Sequence, residues 1–476
     1  MDKFFKISER GSNVRTEIIA GLTTFFAMAY IIVVNPNQIV GFSFGYPGID
    51  KIWNAVYIAS ILAAVLGTLL YAFYAKLPFA QACGMGLNSF FFVSFVLPQI
   101  IKGGDVIEGY QAGLVIILIS GFVFLLLSIT GIRTYIAKAM PECIKKSISA
   151  GIGLFIAFIG FQNVGIIQDN QYTLVQFVKI NGAEWYKFDE VTQSYFGIAP
   201  AVIALLGFVI IAILTKLKVK GAVLLGIIAT TVIFYVSTGT APSFENADFV
   251  QPFKDFADIG ISAVFTKDSW IHAFDGEFIG SIFSVIMLIV TFCMVDMFDT
   301  IGTLYGAASE ANMLDENGDP VDIDKAMACD SIATVGGAVC GTSTCTTFVE
   351  CASGVAAGGR TGLTSLVTSL CFIACLFLSP VASIVPAAAT APALIFVGVL
   401  MLKNFAKVDM EDMRSAVPAF LTLIMMPLTY SIANGIGIGA IAYVLITLFT
   451  GKYQKKDIAV TIIALLFVGK FVFGAI

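Results

Sequence analysis

At 476 residues, 58% hydrophobic and only 12% charged, with a mean hydropathy of +0.92, the chain carries about half the charged fraction of a soluble protein. Apolar runs of roughly 18 to 23 residues recur from end to end, each long enough to cross about 30 Å of hydrocarbon, so it reads as an all-α polytopic membrane protein; a β-barrel would show alternating segments of about ten residues. A net charge of −5 with no Lys/Arg block gives nucleic-acid binding no support.

Fourteen core segments follow in chain order, at about 16–36, 53–75, 78–100, 111–132, 145–167, 196–217, 220–239, 279–305, 325–340, 341–357, 361–385, 388–403, 414–432 and 433–450. The third opens on Leu77–Phe91, LPFAQACGMGLNSFF, where Gly, Ser, Asn and Cys interrupt the apolar run. The eighth contains Ile286–Leu304, IMLIVTFCMVDMFDTIGTL, apolar except for Asp296, Asp299 and a few Thr and Gly. The tenth, Gly341–Gly354, GTSTCTTFVECASG, is again small and polar and carries Glu350. A further apolar run, Ile458–Phe473, contains Lys470 and is either a fifteenth span or a helix lying along the membrane surface.

Basic residues set the expected orientation. Lys3, Lys6, Arg10 and Arg15 precede the first span; Arg133, Lys138, Lys145 and Lys146 follow the fourth; Lys216, Lys218 and Lys220 lie between the sixth and seventh. Lys403, Lys407 and Arg414 follow the twelfth, and Lys452, Lys455 and Lys456 the fourteenth. All fall on one side if the N-terminus is cytoplasmic. The acidic loop 306–324, with Glu310, Asp315, Glu316, Asp319 and Asp322, is a mild exception, since acids weigh little in this rule. The N-terminal MDKFFKISERGSNVRTE is polar and basic and does not read as a cleavable signal peptide. The two interrupted spans each stand third in a seven-span half, which is the pattern of an inverted-repeat transporter.

Three acids at membrane depth point to a transport site, because an ionised carboxylate in a span costs several kcal/mol. Asp296 and Asp299, three apart, share a helix face with Thr303 one turn further. Two carboxylates that close do not both ionise comfortably, so at least one is expected to hold a proton near neutral pH. Glu350 sits where a broken helix frees backbone groups, and its carboxylate suits a pair of adjacent ring N–H groups. Asn88 offers donor and acceptor together. The competing reading makes these residues structural caps of short helices. Asn35 and Asn37, flanking Pro36, are expected to act as caps. The only histidine, His272, and nine cysteines without a CxxC pair leave a metal centre without a ligand set. GGRTGLTS at Gly358–Ser365 lacks the Gly-Lys-Ser/Thr core of a phosphate loop, and its Arg360 is expected to anchor a span end. GIGIGA at Gly435–Ala440 permits close helix packing.

The blocks TEIIAGLTTFFAMAYIIVVNP, QACGMGLNSFF, VDMFDTIGTL and TTFVECASGVAAGGRTGLTS together resemble the AzgA-like adenine, guanine and hypoxanthine permeases. These belong to the nucleobase–cation symporter-2 (nucleobase–ascorbate transporter) superfamily. The likeness runs over nearly the whole chain. It implies fourteen spans in two inverted repeats of seven, the third and tenth being half-helices with short extended pieces. It implies a core domain formed by 1–140 and 278–386 and a gate domain formed by 141–277 and 387–450, with 451–476 left as an extra apolar segment. By the same resemblance Asn88, Asp296, Asp299, Thr303 and Glu350 would bind a purine, and Asp296, Asp299 or Glu350 would couple a proton. Aligning GTL favours Asp299 as the substrate-facing acid; the order of acids favours Asp296. The expected activity is purine import by proton symport in the plasma membrane, without a cofactor or chemistry on the base, and with a homodimer through the gate domain as the form seen in relatives. Alternatives are another nucleobase (uracil or xanthine), a small anion on the same architecture, or an integral-membrane enzyme.

Overall fold

A computed structural model describes residues 2–41, 45–130, 140–179, 184–189, 194–240, 249–275, 282–310, 313–314, 320–403 and 405–473. Arg133, Lys138, Asp315, Glu316 and Asp319 of the orientation pattern lie outside them, as do the side chains of Glu310 and Lys456.

Among the described residues nine helices are long and apolar enough to cross a membrane, from Val14–Ile39 to Ile432–Phe449. Four shorter apolar helices, Ala222–Thr238, Gly362–Phe377, Met413–Leu428 and Ile458–Val472, accompany them. Large exposed apolar side chains such as Phe122, Leu126, Ile213, Val232 and Leu465 recur along these helices. In water such a surface would be a liability; against lipid tails it is neutral. The chain is a multi-pass membrane protein.

The first segment is not one continuous helix. Val14–Met28 gives way at Ala29 and Tyr30 to Ile31–Ile39. Backbone bonds shorten to i−3 there, from Ile32 to Ala29 and from Val33 to Tyr30. Pro36 follows, and its missing N–H cannot reach the Ile32 carbonyl. Asn35 and Asn37 lie inside the second piece and cap nothing: the Asn35 amide donates to the Ser60 and Thr342 hydroxyls, and Asn37 accepts the Trp53 indole N–H at 2.6 Å. Both are buried, so their polar groups are satisfied by neighbouring spans rather than by free helix ends.

The two interrupted spans meet. Gln81–Cys83 and Cys345–Thr347 form an antiparallel two-stranded pair with Ala82 opposite Thr346 and Cys83 opposite Cys345. Each strand leads into a short helix, Met85–Phe91 and Cys351–Ala356 respectively. Extended backbone inside a membrane is tolerated only where it is buried in protein or lines a cavity, and both strands are buried.

Around this pair, Val14–Met28 packs on Gly362–Ala374 and Cys351–Ala356, while Ile323–Cys340 packs on Val106–Ile129 and Ile49–Leu70. On the other side Glu142–Asn163 packs on Ala387–Leu402 and Met413–Leu428, and Ile198–Lys216 on Ala222–Thr238 and Ala387–Leu402. The Gly435–Ala440 stripe does bring helices together: side chains at Gly435 and Gly439 would collide with Met426 and Thr422 of the preceding helix, and one at Gly437 with Phe467. Ile458–Phe473 is a 16-residue helix that packs on Ile432–Phe449 and Ile282–Glu310.

Candidate functional site

Glu350 stands at the residue before the Cys351–Ala356 helix, yet its side chain makes no capping bond. Its Oε1 instead accepts the Tyr30 hydroxyl at 2.7 Å. Tyr30 is completely buried at the break in the first span, so the break in one helix presents the donor that holds a carboxylate at the break in another. A hydrogen bond to a charged group is worth about 1.5–3 kcal/mol, enough to select one rotamer.

The two aspartates part ways, although they lie on one helix three residues apart. Asp299 and Thr303 line a cavity of about 1360 Å³ together with Glu350. Thr303 donates to the Asp299 and Thr300 carbonyls, at 3.0 and 3.1 Å. Asp296 points into the protein: its Oδ2 accepts the Thr334 hydroxyl at 2.8 Å, while Oδ1 is buried without a hydrogen-bond partner. Asn88 is also behind the cavity wall. Its amide donates to Asn35 and Gln38, and its carbonyl accepts the Ser343 hydroxyl, so it ties the first broken segment to the first span and to the second broken segment.

The cavity lies between the two packing groups. Thr23, Gly86 and the Thr346–Glu350 stretch line it from one side, Ser149, Phe396 and Met401 from the other. Six lysines from three separate parts of the chain also border it: Lys145, Lys146, Lys218, Lys220, Lys403 and Lys407. All six belong to the set that the charge pattern assigns to one face of the membrane.

Sequence reading did not single out several residues that the fold brings close to this site. Tyr30 is one. Glu17 is another: it is fully buried and accepts four bonds, from the Arg360 and Thr361 N–H groups and the Thr361 and Thr364 hydroxyls, at 2.6–3.2 Å. This clamps the start of the first span to the start of Gly362–Ala374. Arg360, which sequence reading did single out as the anchor of a span end, donates through its guanidinium to the Val355 and Gly359 carbonyls, closing the C-terminal end of the second short helix. Asp330, also fully buried, is bonded to Gln81 and Thr300. All nine cysteines are free.

A broken-helix pair beside acids on a cavity is a transporter's arrangement. A family profile described as Permease family (Xan_ur_permease) matches residues 15–439. The chain belongs to this family. The permease is 40% identical over 459 residues to the guanine/hypoxanthine permease PbuG of Bacillus subtilis, covering 96% of each chain. It is 36% identical to the adenine permease AdeP of Escherichia coli, over 99% of this chain and 96% of that one. Among solved structures it superposes on the transmembrane domain of a cyanobacterial bicarbonate transporter, BicA, with a TM-score of 0.59 at 14% identity, covering 89% of this permease and 97% of that chain. The murine anion transporter Slc26a9 in its inward-facing state gives 0.56 at 13% identity, over 92% and 69%. At such identities the likeness is one of fold. The permease is a membrane transporter and not an enzyme.

Proposed function

We propose that this permease imports purine nucleobases, namely hypoxanthine, guanine or adenine, by symport with a proton. The observation that carries this reading is the convergence of Glu350, held by Tyr30, with Asp299 on one cavity between two groups of helices. Two carboxylates offer acceptors for the adjacent N–H groups of a purine edge. The similarity to PbuG and AdeP supports purines over other cargo. Thr303 completes the polar wall, and Asn88 acts indirectly, by holding the broken segments together. The coupling proton enters through the same cavity. One charge moving down about 100 mV yields ~2.3 kcal/mol, which sustains roughly fifty-fold accumulation.

The architecture in this reading is fourteen spans in two inverted repeats, with 1–140 and 278–386 as core and 141–277 and 387–450 as gate. The helix packing on either side of the cavity supports it. The lysines at the cavity border support an opening on the cytoplasmic side, with the N-terminus, by the positive-inside rule. Alternating access then consists of the core moving against the gate. The fold neighbours named as anion transporters motivate a second reading, a small anion as cargo. Asp299 and Glu350 oppose it, since an anion would meet two acids at the innermost wall.

Uptake of labelled hypoxanthine into proteoliposomes, with and without an inward proton gradient, tests the reading. Accumulation driven by the gradient and blocked by unlabelled adenine or guanine, but not by uracil, is expected. Uptake indifferent to the gradient would remove the proton, and competition by uracil or bicarbonate instead of purines would remove the cargo.

A further inference from the structure

Asp330 lies in Ile323–Cys340, is fully buried, and does not border the cavity. Its Oδ1 accepts the Gln81 amide at 3.0 Å and its Oδ2 the Thr300 hydroxyl at 2.7 Å. The Thr300 hydroxyl is in turn 2.8 Å from that of Thr346, and Thr346 borders the cavity. A continuous file of oxygens therefore runs from the cavity through two hydroxyls to a carboxylate behind its wall. From these contacts we infer that Asp330 stores the coupling proton, and that Thr346 and Thr300 carry it between Asp330 and the cavity. The assignment rests on the proton-symport reading above and specifies where its proton goes.

The hydrogen-bond directions permit the transfer. With Asp330 as carboxylate, Thr300 donates to it and Thr346 can donate to Thr300. A proton arriving on Thr346 from cavity water displaces that residue's own proton to Thr300, which passes its own to Asp330 Oδ2. Each hydroxyl gains one proton and loses one, and only Asp330 changes charge. Afterwards the acid O–H donates to Thr300, Thr300 to Thr346, and Thr346 to cavity water; release reverses the file. No hydrogen bond is lost in either state, because a hydroxyl both donates and accepts.

The other acids are less suited to this storage. Asp299 and Glu350 serve the base as acceptors and cannot hold its coupling proton in the same act. Asp296 is bonded to Thr334, whose hydroxyl is already engaged with the Cys345 carbonyl and N–H. Tyr71, Cys329 and Cys345 are among the titratable groups near Asp330, and Cys345 also lies near Asp296. Tyr71 is itself bonded to Thr347, at 2.6 Å. Gln81 and Thr346 come from the two paired strands, so the stored proton sits beneath the element that joins both broken spans.

Asp330→Asn is the informative variant. Its amide can accept from Gln81 and donate to Thr300, which keeps both ties while removing the proton site. In proteoliposomes, exchange of labelled for unlabelled hypoxanthine without a gradient is expected to stay within about two-fold of wild type. Gradient-driven accumulation is expected to fall from roughly fifty-fold to near unity. Wild-type accumulation by Asp330→Asn, with the wild-type protein itself coupled, overturns the assignment and leaves the symport reading intact. A wild-type protein indifferent to the gradient overturns both. If Asp330→Asn loses exchange as well, Thr300→Val decides, since it interrupts the file with Asp330 in place: slowed gradient-driven uptake with exchange retained supports the relay, and unchanged uptake refutes it.

Discussion

Tyr30 and Glu350 meet across 320 positions of chain, and the bond between them has a measurable cost of removal. Tyr30→Phe keeps the ring's packing and deletes one bond to a charged group, a loss of about 1.5 kcal/mol or more, so the KM for the base should rise roughly ten-fold. Initial rates against concentration check this; an unchanged KM would mean that Glu350 needs no holding. Glu350→Gln is expected to abolish uptake while leaving expression and the elution profile of purified protein intact. Asp299→Asn should cripple it too, whereas Asp296→Asn, buried against Thr334, should act through stability, read as a lower Tm. At this scale the cavity acids Asp299 and Glu350 were legible because a carboxylate stands out in an apolar run, and the same signal also picked out Asp296, which the fold turns away from the cavity. Tyr30 was not, since a tyrosine among apolar residues signals nothing until its partner is placed. Asp330 was masked by its surroundings: Asp324 and Lys325 a turn or two earlier make the segment look merely polar.

Most of the long helices end within a few residues of the predicted segment bounds, because turn residues and charges punctuate the apolar runs, although Gly362–Ala374 stops well short of 385. What periodicity could not supply is how a helix breaks inside its span, as at Ala29–Tyr30, or that two three-residue strands find each other. Those outcomes depend on contacts distant in sequence. Two elements can be tested by stability. Gly439→Leu drives a side chain into Thr422 and should lower Tm sharply, as overpacking costs about 1–3 kcal/mol or more. Glu17→Gln turns an acceptor of four bonds into a mixed donor and acceptor at the base of the first span. A loss of about 1–3 kcal/mol is expected, visible as earlier thermal aggregation of the detergent-solubilised protein.

For the whole molecule, the proposed motion of core against gate has a direct check at the contact between Met85–Phe91 and Glu142–Asn163. A β-carbon at position 86 would fall 3.6 Å from that of Ile152, within disulfide range. Gly86→Cys with Ile152→Cys, in a background without the native cysteines, should stop transport when oxidised and recover on reduction. Continued uptake by the cross-linked protein would show that these helices do not separate. The strand pair also governs how the molecule is made. Cys83 and Thr342, which touch beside it, are 259 positions apart, so most of the chain must emerge from the ribosome before the first strand finds its partner. Until then, the Gly84 N–H and the Ala80 carbonyl, which bond Thr344 and Phe348 across the pair, lack those mates in a solvent that offers none, while Gln81 is already held by the Thr68 hydroxyl. The nascent first half must therefore wait shielded, in the insertion machinery or under its own neighbouring helices. Premature termination anywhere before the second strand would leave an edge that quality control can recognise.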